Sequence, residues 1–401
     1  MSCKVLINWG AYDIDNLGDL LFPIIIDYHF TNDEYKVVHT SPTSTKSQFK
    51  DAIETIKIKD VLKSENIKGL IVGGGNLISW TVSSAIPYRS YPILSEIVHP
   101  SFFIVPYILY SKYYIPYFFN SVGVSKPIPN ENKILTKIAI ENASYCSFRD
   151  KISVTRIMEC NISSSDLKIS LDSAFIIDSI YSKEQLKQEF KINLTTKYKI
   201  PKEKKIVVLY IKQRYFNNEY LELEEICKFF DNLGFHTIFI SLSLCFGDEE
   251  ILDKIDFNCT NLTIIKKPES IFEILSILAS SEYYIGSSLH GGIVSAAYGN
   301  SPIFVADEKT SGILKISGFL EQLKLKSSLY NSWCELHNTL KNTGRLIFEK
   351  PDDKLICHHK KSINESFKVL SKIITNSNQS KANQSVETND VLNKISEYYE
   401  I

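Results

Sequence analysis

The chain has 401 residues, 44% of them hydrophobic, with 45 lysines and arginines against 46 aspartates and glutamates and a formal net charge of −1. That length supports two domains with separate cores, and the balanced, interspersed charge, with no basic run and no zinc-finger or helix-turn-helix spacing, argues against a nucleic-acid partner. The 8 cysteines are scattered without a C-x-x-C pair, and the N-terminus runs straight into a strand pattern instead of a secretory leader, so a reducing, cytoplasmic setting is expected.

In chain order the pattern alternates between strand and helix. KVLINW (4–9) is a short apolar run closed by Gly10, and YDIDNLGDLLFPIII then sets Asn16, Gly18 and Asp19 between that strand and a helix. GLIVGGGNL (69–77) is a second strand, ending in Gly73, Gly74, Gly75 and Asn76. SFFIVPYILYSKYYIPYFF, from Ser101 to Phe119, is mostly aromatic and aliphatic but is interrupted by Pro106, Lys112 and Pro116. A membrane span needs about 20 uninterrupted apolar residues, so the segment reads as a buried or interfacial part of a domain. Peripheral contact with a membrane or a membrane-bound partner is the second reading. PYFFNSVGV (116–124), YCSFRD with Arg149 and Asp150 at its end, and LKISLDSAF with Asp172 follow as short strands. Such alternation predicts a parallel sheet with helices on its faces.

Between 182 and 205 the alternation lapses into the polar SKEQLKQEFKINLTTKYKIPKEKK, which marks a boundary between an N-terminal α/β domain over 1–185 and a C-terminal one over 203–375. IVVLYIKQRY opens the second half, with Lys212 and Arg214 at the carboxyl end of its strand. Further strands and helices lead to YYIGSSLHGGIVSAAYGNSPIFVA (283–306), after which Lys309 faces the same edge. Past residue 375, TNSNQSKANQSVETND has almost no apolar content, so 376–401 is expected to be a flexible tail, with VLNKISEYYEI at its end able to form a helix.

His290, between Ser287-Ser288 and Gly291-Gly292, falls in the first turn of a helix at the carboxyl end of a parallel strand, where open α/β sheets bind ligands. The free N–H groups and partial positive charge there suit a phosphate or carboxylate. As a first-turn residue beside two glycines, His290 is expected to make little packing. These residues alone leave it equally readable as a core or capping histidine, and the other motifs as turns, caps or ion pairs. The D-I-D at Asp13 to Asp15 reads as loop chemistry. Cys357-His358-His359 reads as a solvated loop, since a metal site would need two further ligands at proper spacing; no metal site is expected.

The joint order of N-x-G-D, G-G-G-N, NSVGV, S-x-R-D, SLDSAF and S-L-H-G with YGNSPIF resembles the polysaccharide pyruvyl transferase family from Ile7 to Leu320. The resemblance implies two Rossmann-like domains facing a cleft, like the GT-B glycosyltransferases. It also implies transfer of a pyruvyl group from phosphoenolpyruvate, with no further cofactor, to two hydroxyls of a sugar as a cyclic ketal in cell-surface or exopolysaccharide synthesis. The acceptor would be a sugar or a lipid-linked oligosaccharide, met in the cytoplasm at the inner face of the membrane.

On this pattern His290, Asp19 and Asp150 are the candidates for acid–base catalysis. Asn16, Gly18, Gly74, Gly75, Asn76 and Asp172 are those for the acceptor side, and Ser287, Ser288 and Gly291 those for the donor. The donor's carboxylate and phosphate also call for cations, and Arg149, Lys212, Arg214 and Lys309 are best placed. Many family members read R-L-H where this chain reads Ser288-Leu289-His290, so a natural donor arginine is absent. Two other readings stay open. One is a nucleotide-sugar glycosyltransferase on the same scaffold, whose usual ribose-gripping carboxylate is missing from Leu289 to Gly299; the other is a non-enzymatic binding protein.

Overall fold

Twelve short strands, most of them buried on both faces, divide between two sheets in the computed structural model, which describes residues 3–308, 312–345, 348–376 and 390–401. The first sheet holds β1 (Lys4–Trp9), β2 (Tyr35–Thr40), β3 (Ile67–Gly73), β4 (Tyr117–Val122), β5 (Tyr145–Phe148) and β6 (Lys168–Ile169), in the order β2-β1-β3-β4-β5-β6. The second holds β7 (Lys205–Tyr210), β8 (Phe235–Ile240), β9 (Leu262–Ile265), β10 (Tyr283–Gly286), β11 (Ser301–Val305) and β12 (Leu329–Tyr330), in the order β12-β11-β10-β7-β8-β9. Every pairing is parallel. Near-continuous Val, Ile, Leu and Phe in these strands suit a sheet covered by helices on both sides.

The strand order reverses once in each sheet, between β1 and β3 and between β7 and β10. At such a point consecutive connections leave in opposite directions and open a crevice beyond the carboxyl ends of the strands. The two crevices face each other, and the chain is stitched beneath them. Asn16 bridges Ser243, Leu17 N–H donates to the Leu242 carbonyl at 2.9 Å, and Leu244 N–H donates to the Asp15 carbonyl at 2.7 Å.

One hydrophobic cluster lies in the first domain, reached from the second only by Cys245 and Phe246, and another lies in the second, but the largest belongs to both. It runs from the helix Leu17–Phe30 through Leu171–Ile177 to the helices Ile271–Ser280, Leu289–Ala297 and Asp353–Asn376. A shared apolar core of this kind holds two domains in one orientation, where a polar interface would leave them free to hinge. The stretch 182–205 is the crossing between the sheets and is mostly helical, with Lys183–Glu189, a π turn Phe190–Leu194, and Thr195–Lys197.

The apolar segment from Ser101 is the buried second half of a helix, Pro92–Tyr113, followed by β4, in line with its reading as a buried part of a domain. Two other expectations need correction. The tail expected over 376–401 is not flexible at its end. Asp390–Tyr399 is a helix whose Ile395 and Tyr399 are buried in the first domain, Tyr399 lying edge-on to Trp9 with its hydroxyl 3.0 Å from Ser101 Oγ. The amphipathic spacing of Val391, Ile395 and Tyr399 offsets the ordering cost that the polar stretch before it cannot. Residues 377–389 lie outside the described residues. The Cys357-His358-His359 run, expected in a loop, lies inside the helix Asp353–Asn376.

Candidate active site

The cleft between the two crevices is lined from the first domain by Asn16, Asp19, Asn76 and Arg149, and from the second by Lys212, Arg214, Ser287, Ser288 and His290. These nine were all expected at the site from the sequence. They converge because each follows a strand, and the carboxyl ends of parallel strands share one edge.

His290 owes its place to β10 and the helix Leu289–Ala297. Ser288 takes extended backbone angles before the helix, and its Oγ caps the first turn by accepting the Gly291 N–H at 3.4 Å. The imidazole is far from unpacked, with only 12% of its side chain exposed. Phe22 meets it edge-on at 5.7 Å between ring centroids, and its Nδ1 lies so close over Gly18 that a Cβ at residue 18 would come within 1.9 Å. Nε2 points toward Asp172 Oδ2 at 3.5 Å and completes no hydrogen bond among the described residues.

Asp172 sits behind this ring. It is buried, accepts the Ala174 N–H at 3.1 Å, and also faces Arg149 Nη1 at 3.5 Å. Burial pushes its pKa up, but His290, Arg149 and the Ala174 N–H together outweigh burial and hold it below the usual carboxylate range. Asp172 was expected among the acceptor contacts; it does not line the cleft but orients His290 and Arg149 from below. Asp150, expected as a catalytic base, is likewise withdrawn. Its Oδ1 caps the helix Lys151–Met158 through the Ser153 N–H at 2.7 Å, while Oδ2 faces Arg149 Nε at 3.5 Å.

Arg149 is thus buried between two carboxylates, with a face of its guanidinium on the cleft. Gly123 makes room for it, since a Cβ there would lie 2.5 Å from Arg149 Cζ.

Asp19 is the only carboxylate on the cleft lining among the described residues. Burial raises its pKa, opposed by the Asn16 amide, 2.5 Å from Oδ2, and by the charges of His290, Lys315 and Arg149. Gly74 and Gly75 do not line the cleft. With φ of 71° and 77° they turn the chain after β3 over Phe22 and the Asp19 carboxylate, a backbone conformation that glycine takes without strain. Gly18 serves His290, and Gly291 is packed under Tyr284 and Leu242. Asn76 Oδ1 accepts the Ser125 N–H at 3.1 Å, and Ser287 Oγ accepts the Lys212 N–H at 3.2 Å, tying the loops after β7 and β10 together. Asp13 Oδ2 accepts from Thr43 and its Oδ1 from the Tyr88 hydroxyl, while Asp15 spends its oxygens on Ser47 and Gln48.

Sequence reasoning missed Lys315, which enters the cleft from the helix Gly312–Leu323. Burial, followed by the charges of Lys212, Arg149 and Arg214, drives its pKa well below the ordinary lysine range, with Asp19 opposing. Its only sequence signal was a lone cation in the otherwise apolar GILKISGFL. Lys126 and the serine-rich stretch Ser79 to Ser84 also join the lining. Lys309 lies outside the described residues. Among the described residues no group of three or more His, Cys, Asp or Glu is placed to hold a metal ion.

The cleft lining therefore carries the cations Lys126, Arg149, Lys212, Arg214 and Lys315 against the single carboxylate of Asp19. Such an arrangement attracts a ligand with several negative charges and has a histidine and a desolvated carboxyl available for proton transfer.

Comparison with solved structures gives the same architecture at low identity. The UDP-GlcNAc 2-epimerase of Methanocaldococcus jannaschii is 12% identical with a TM-score of 0.56, over 92% of this chain and 100% of that one. The S. aureus MnaA structure with UDP is 10% identical with a TM-score of 0.54, over 95% of this chain and 99% of that one. These likenesses show the fold, which is GT-B-like. No curated protein sequence matches the chain. The profile of the polysaccharide pyruvyl transferase family, however, matches residues 16–307, from Asn16 at the first crevice to Asp307 just past β11. A match over that much of the sequence means that the chain belongs to the polysaccharide pyruvyl transferase family.

Proposed function

We propose that the chain transfers a pyruvyl group from phosphoenolpyruvate to two hydroxyls of a sugar, free or lipid-linked, forming a cyclic ketal and releasing phosphate. The observation that carries this reading is the charge inventory of the cleft, with five cations and one carboxylate around a helix N-terminus. Phosphoenolpyruvate is small and carries a carboxylate and a phosphate, so both of its ends can be paired with lysines and arginines at once.

In this reading Arg149, held rigid by Asp150 and Asp172, and the mobile-stemmed Lys212, Arg214 and Lys315 grip the two anionic groups. His290, with the Asp172 carboxylate behind its ring, gives a proton to the donor's methylene carbon, which becomes a methyl group. The adjacent carbon turns electrophilic and the first sugar hydroxyl attacks it, losing its proton to Asp19. The C–O bond to phosphate then breaks, the cation cluster stabilises the departing anion, and the second hydroxyl closes the ring as its proton leaves with the phosphate. Two new C–O bonds replace one C–O and one C=C π bond, with no change of oxidation state to balance.

The test is a melting experiment with phosphoenolpyruvate and, separately, with a panel of nucleotide sugars. A ligand present at a hundred times its Kd stabilises by about 2.7 kcal/mol. Stabilisation by phosphoenolpyruvate alone supports the reading, and stabilisation by a nucleotide sugar alone replaces it with the glycosyltransferase alternative.

A further inference from the structure

Lys212 and Arg214 enter the cleft on one short stretch just past β7, where Gln213–Tyr215 forms a single 3₁₀ turn. Both side chains flank the Tyr215 ring, with Lys212 Nζ 5.7 Å and Arg214 Cζ 4.7 Å from its centroid, and Lys212 Nζ also lies 4.8 Å from the centroid of Phe246. Gln213 and Arg214 are exposed, so burial does not fix the turn. Hydrogen bonds do. Ser287 Oγ takes the Lys212 N–H, and the neighbouring Gln213 N–H goes to a residue outside the cleft lining, Asp248, which is 1% exposed. Asp248 Oδ1 accepts that N–H at 3.0 Å, and Oδ2 accepts the hydroxyl of Tyr210, the last residue of β7. Neither partner is a cation; both oxygens are committed to holding chain in place. Asp248 itself stands on the loop after β8 that is stitched to the first domain, where the Cys245 carbonyl accepts the Ile86 N–H at 3.0 Å beside the Leu244 bond to Asp15. The turn that carries two of the cleft's cations is therefore anchored, through one buried carboxylate, to the seam between the domains.

We propose that Asp248 is a positioning residue that fixes the turn Gln213–Tyr215 and so aims Lys212 and Arg214 at the anionic groups of the donor. The inference rests on the reading above, in which those cations take the donor's carboxylate and phosphate. Long cationic side chains on a loose turn lose backbone and rotamer freedom when they grip an anion, and a turn already held in place has less to lose, which tightens binding. The charge of Asp248 cannot be the source of the benefit, because a nearby carboxylate repels an anionic ligand. The hydrogen bonds are. Asparagine can make both of them, its oxygen accepting the Gln213 N–H and its amide donating to the Tyr210 hydroxyl oxygen, whereas alanine can make neither.

The test is calorimetric titration of the full chain with phosphoenolpyruvate and, separately, with pyrophosphate. Asp248→Ala is expected to weaken binding of both about tenfold, and Asp248→Asn to stay within about threefold of wild type. Lys212→Ala is expected to cost about tenfold in the wild-type background and under about twofold in Asp248→Ala, while Lys315→Ala, on a separate helix, costs the same factor in both. A variant that merely loosened the fold would treat the two lysines alike. Should Asp248→Ala melt too early to titrate, Tyr210→Phe, which removes only the hydroxyl that anchors the carboxylate, is expected to weaken binding about threefold. Wild-type affinity in Asp248→Ala, equal losses in Asp248→Asn and Asp248→Ala, or the same Lys212 factor in both backgrounds would overturn the proposal. A wild type that binds pyrophosphate and not phosphoenolpyruvate refutes the pyruvyl donor, and the same variant pattern on pyrophosphate then still supports the positioning role. A wild type that binds neither overturns both.

Discussion

Gly18→Ala isolates the role of His290 with the smallest possible change. Residue 18 is in the first turn of the helix Leu17–Phe30, and alanine there should stabilise the helix by about 1 kcal/mol relative to glycine. The new Cβ would, however, stand 1.9 Å from His290 Nδ1 and 2.3 Å from Cε1 and Cγ. Ordinary contact begins near 3.5 Å, so the ring must retreat roughly 1.5 Å. Phe22 on one side and the Asp172 carboxylate on the other leave it little room. Overpacking of this kind costs about 1–3 kcal/mol, and the net loss of stability should be at most about 2 kcal/mol. Loss of the histidine's bond to the donor should weaken phosphoenolpyruvate binding by about 10–100-fold. Urea unfolding gives the first quantity and calorimetric titration the second, while the His290 imidazole resonances report the displacement directly. A Gly18→Ala protein more stable than wild type, with unchanged imidazole resonances and full affinity, would refute this account of why residue 18 is glycine.

Asp172→Asn keeps the shape but removes the charge shared by His290 and Arg149, and at pH 7 it should cost about 3 kcal/mol, since Arg149 retains Asp150. The folded pKa of Asp172 is depressed, so its contribution is present above the unfolded carboxylate range and is lost as pH falls through the folded value. The gap between wild type and variant in urea should therefore close below about pH 4, and an equal gap at pH 7 and pH 3 would contradict the assignment. Lys315→Met should raise the stability of the unliganded protein at pH 7, because a lysine with a depressed pKa is destabilising while protonated, and should weaken phosphoenolpyruvate binding about 10–100-fold by calorimetry. Ser288→Arg removes the cap on the Gly291 N–H, at about 1 kcal/mol in a denaturation curve. It also adds a cation to the cleft and is expected to tighten phosphoenolpyruvate binding; weaker binding would place the donor away from this helix.

The strand–helix alternation was legible without a structure, because buried parallel strands are short apolar runs and their crossover helices show helical spacing. From that alternation followed the two sheets and the placement of Asn16, Asn76, Arg149, Lys212, Arg214 and His290 at carboxyl ends, since a residue following a strand has only one edge of the sheet to occupy. What each residue does at that edge was not legible. Gly18 and Gly123 read as members of motifs and are spaces for His290 and Arg149, while Asp150 and Asp172 read as site carboxylates and sit behind the residues that face the cleft. Lys315 went unnoticed, and the docking of the last helix was left open, for the same reason. Periodicity records which face of an element is buried, but the identity of the partner across that face is set by contacts between segments far apart in the chain. The Asp172–His290 pair, the Asn16–Ser243 bridge and the seat of Tyr399 against Trp9 exist only once the two sheets have been brought together or the chain's end folded back.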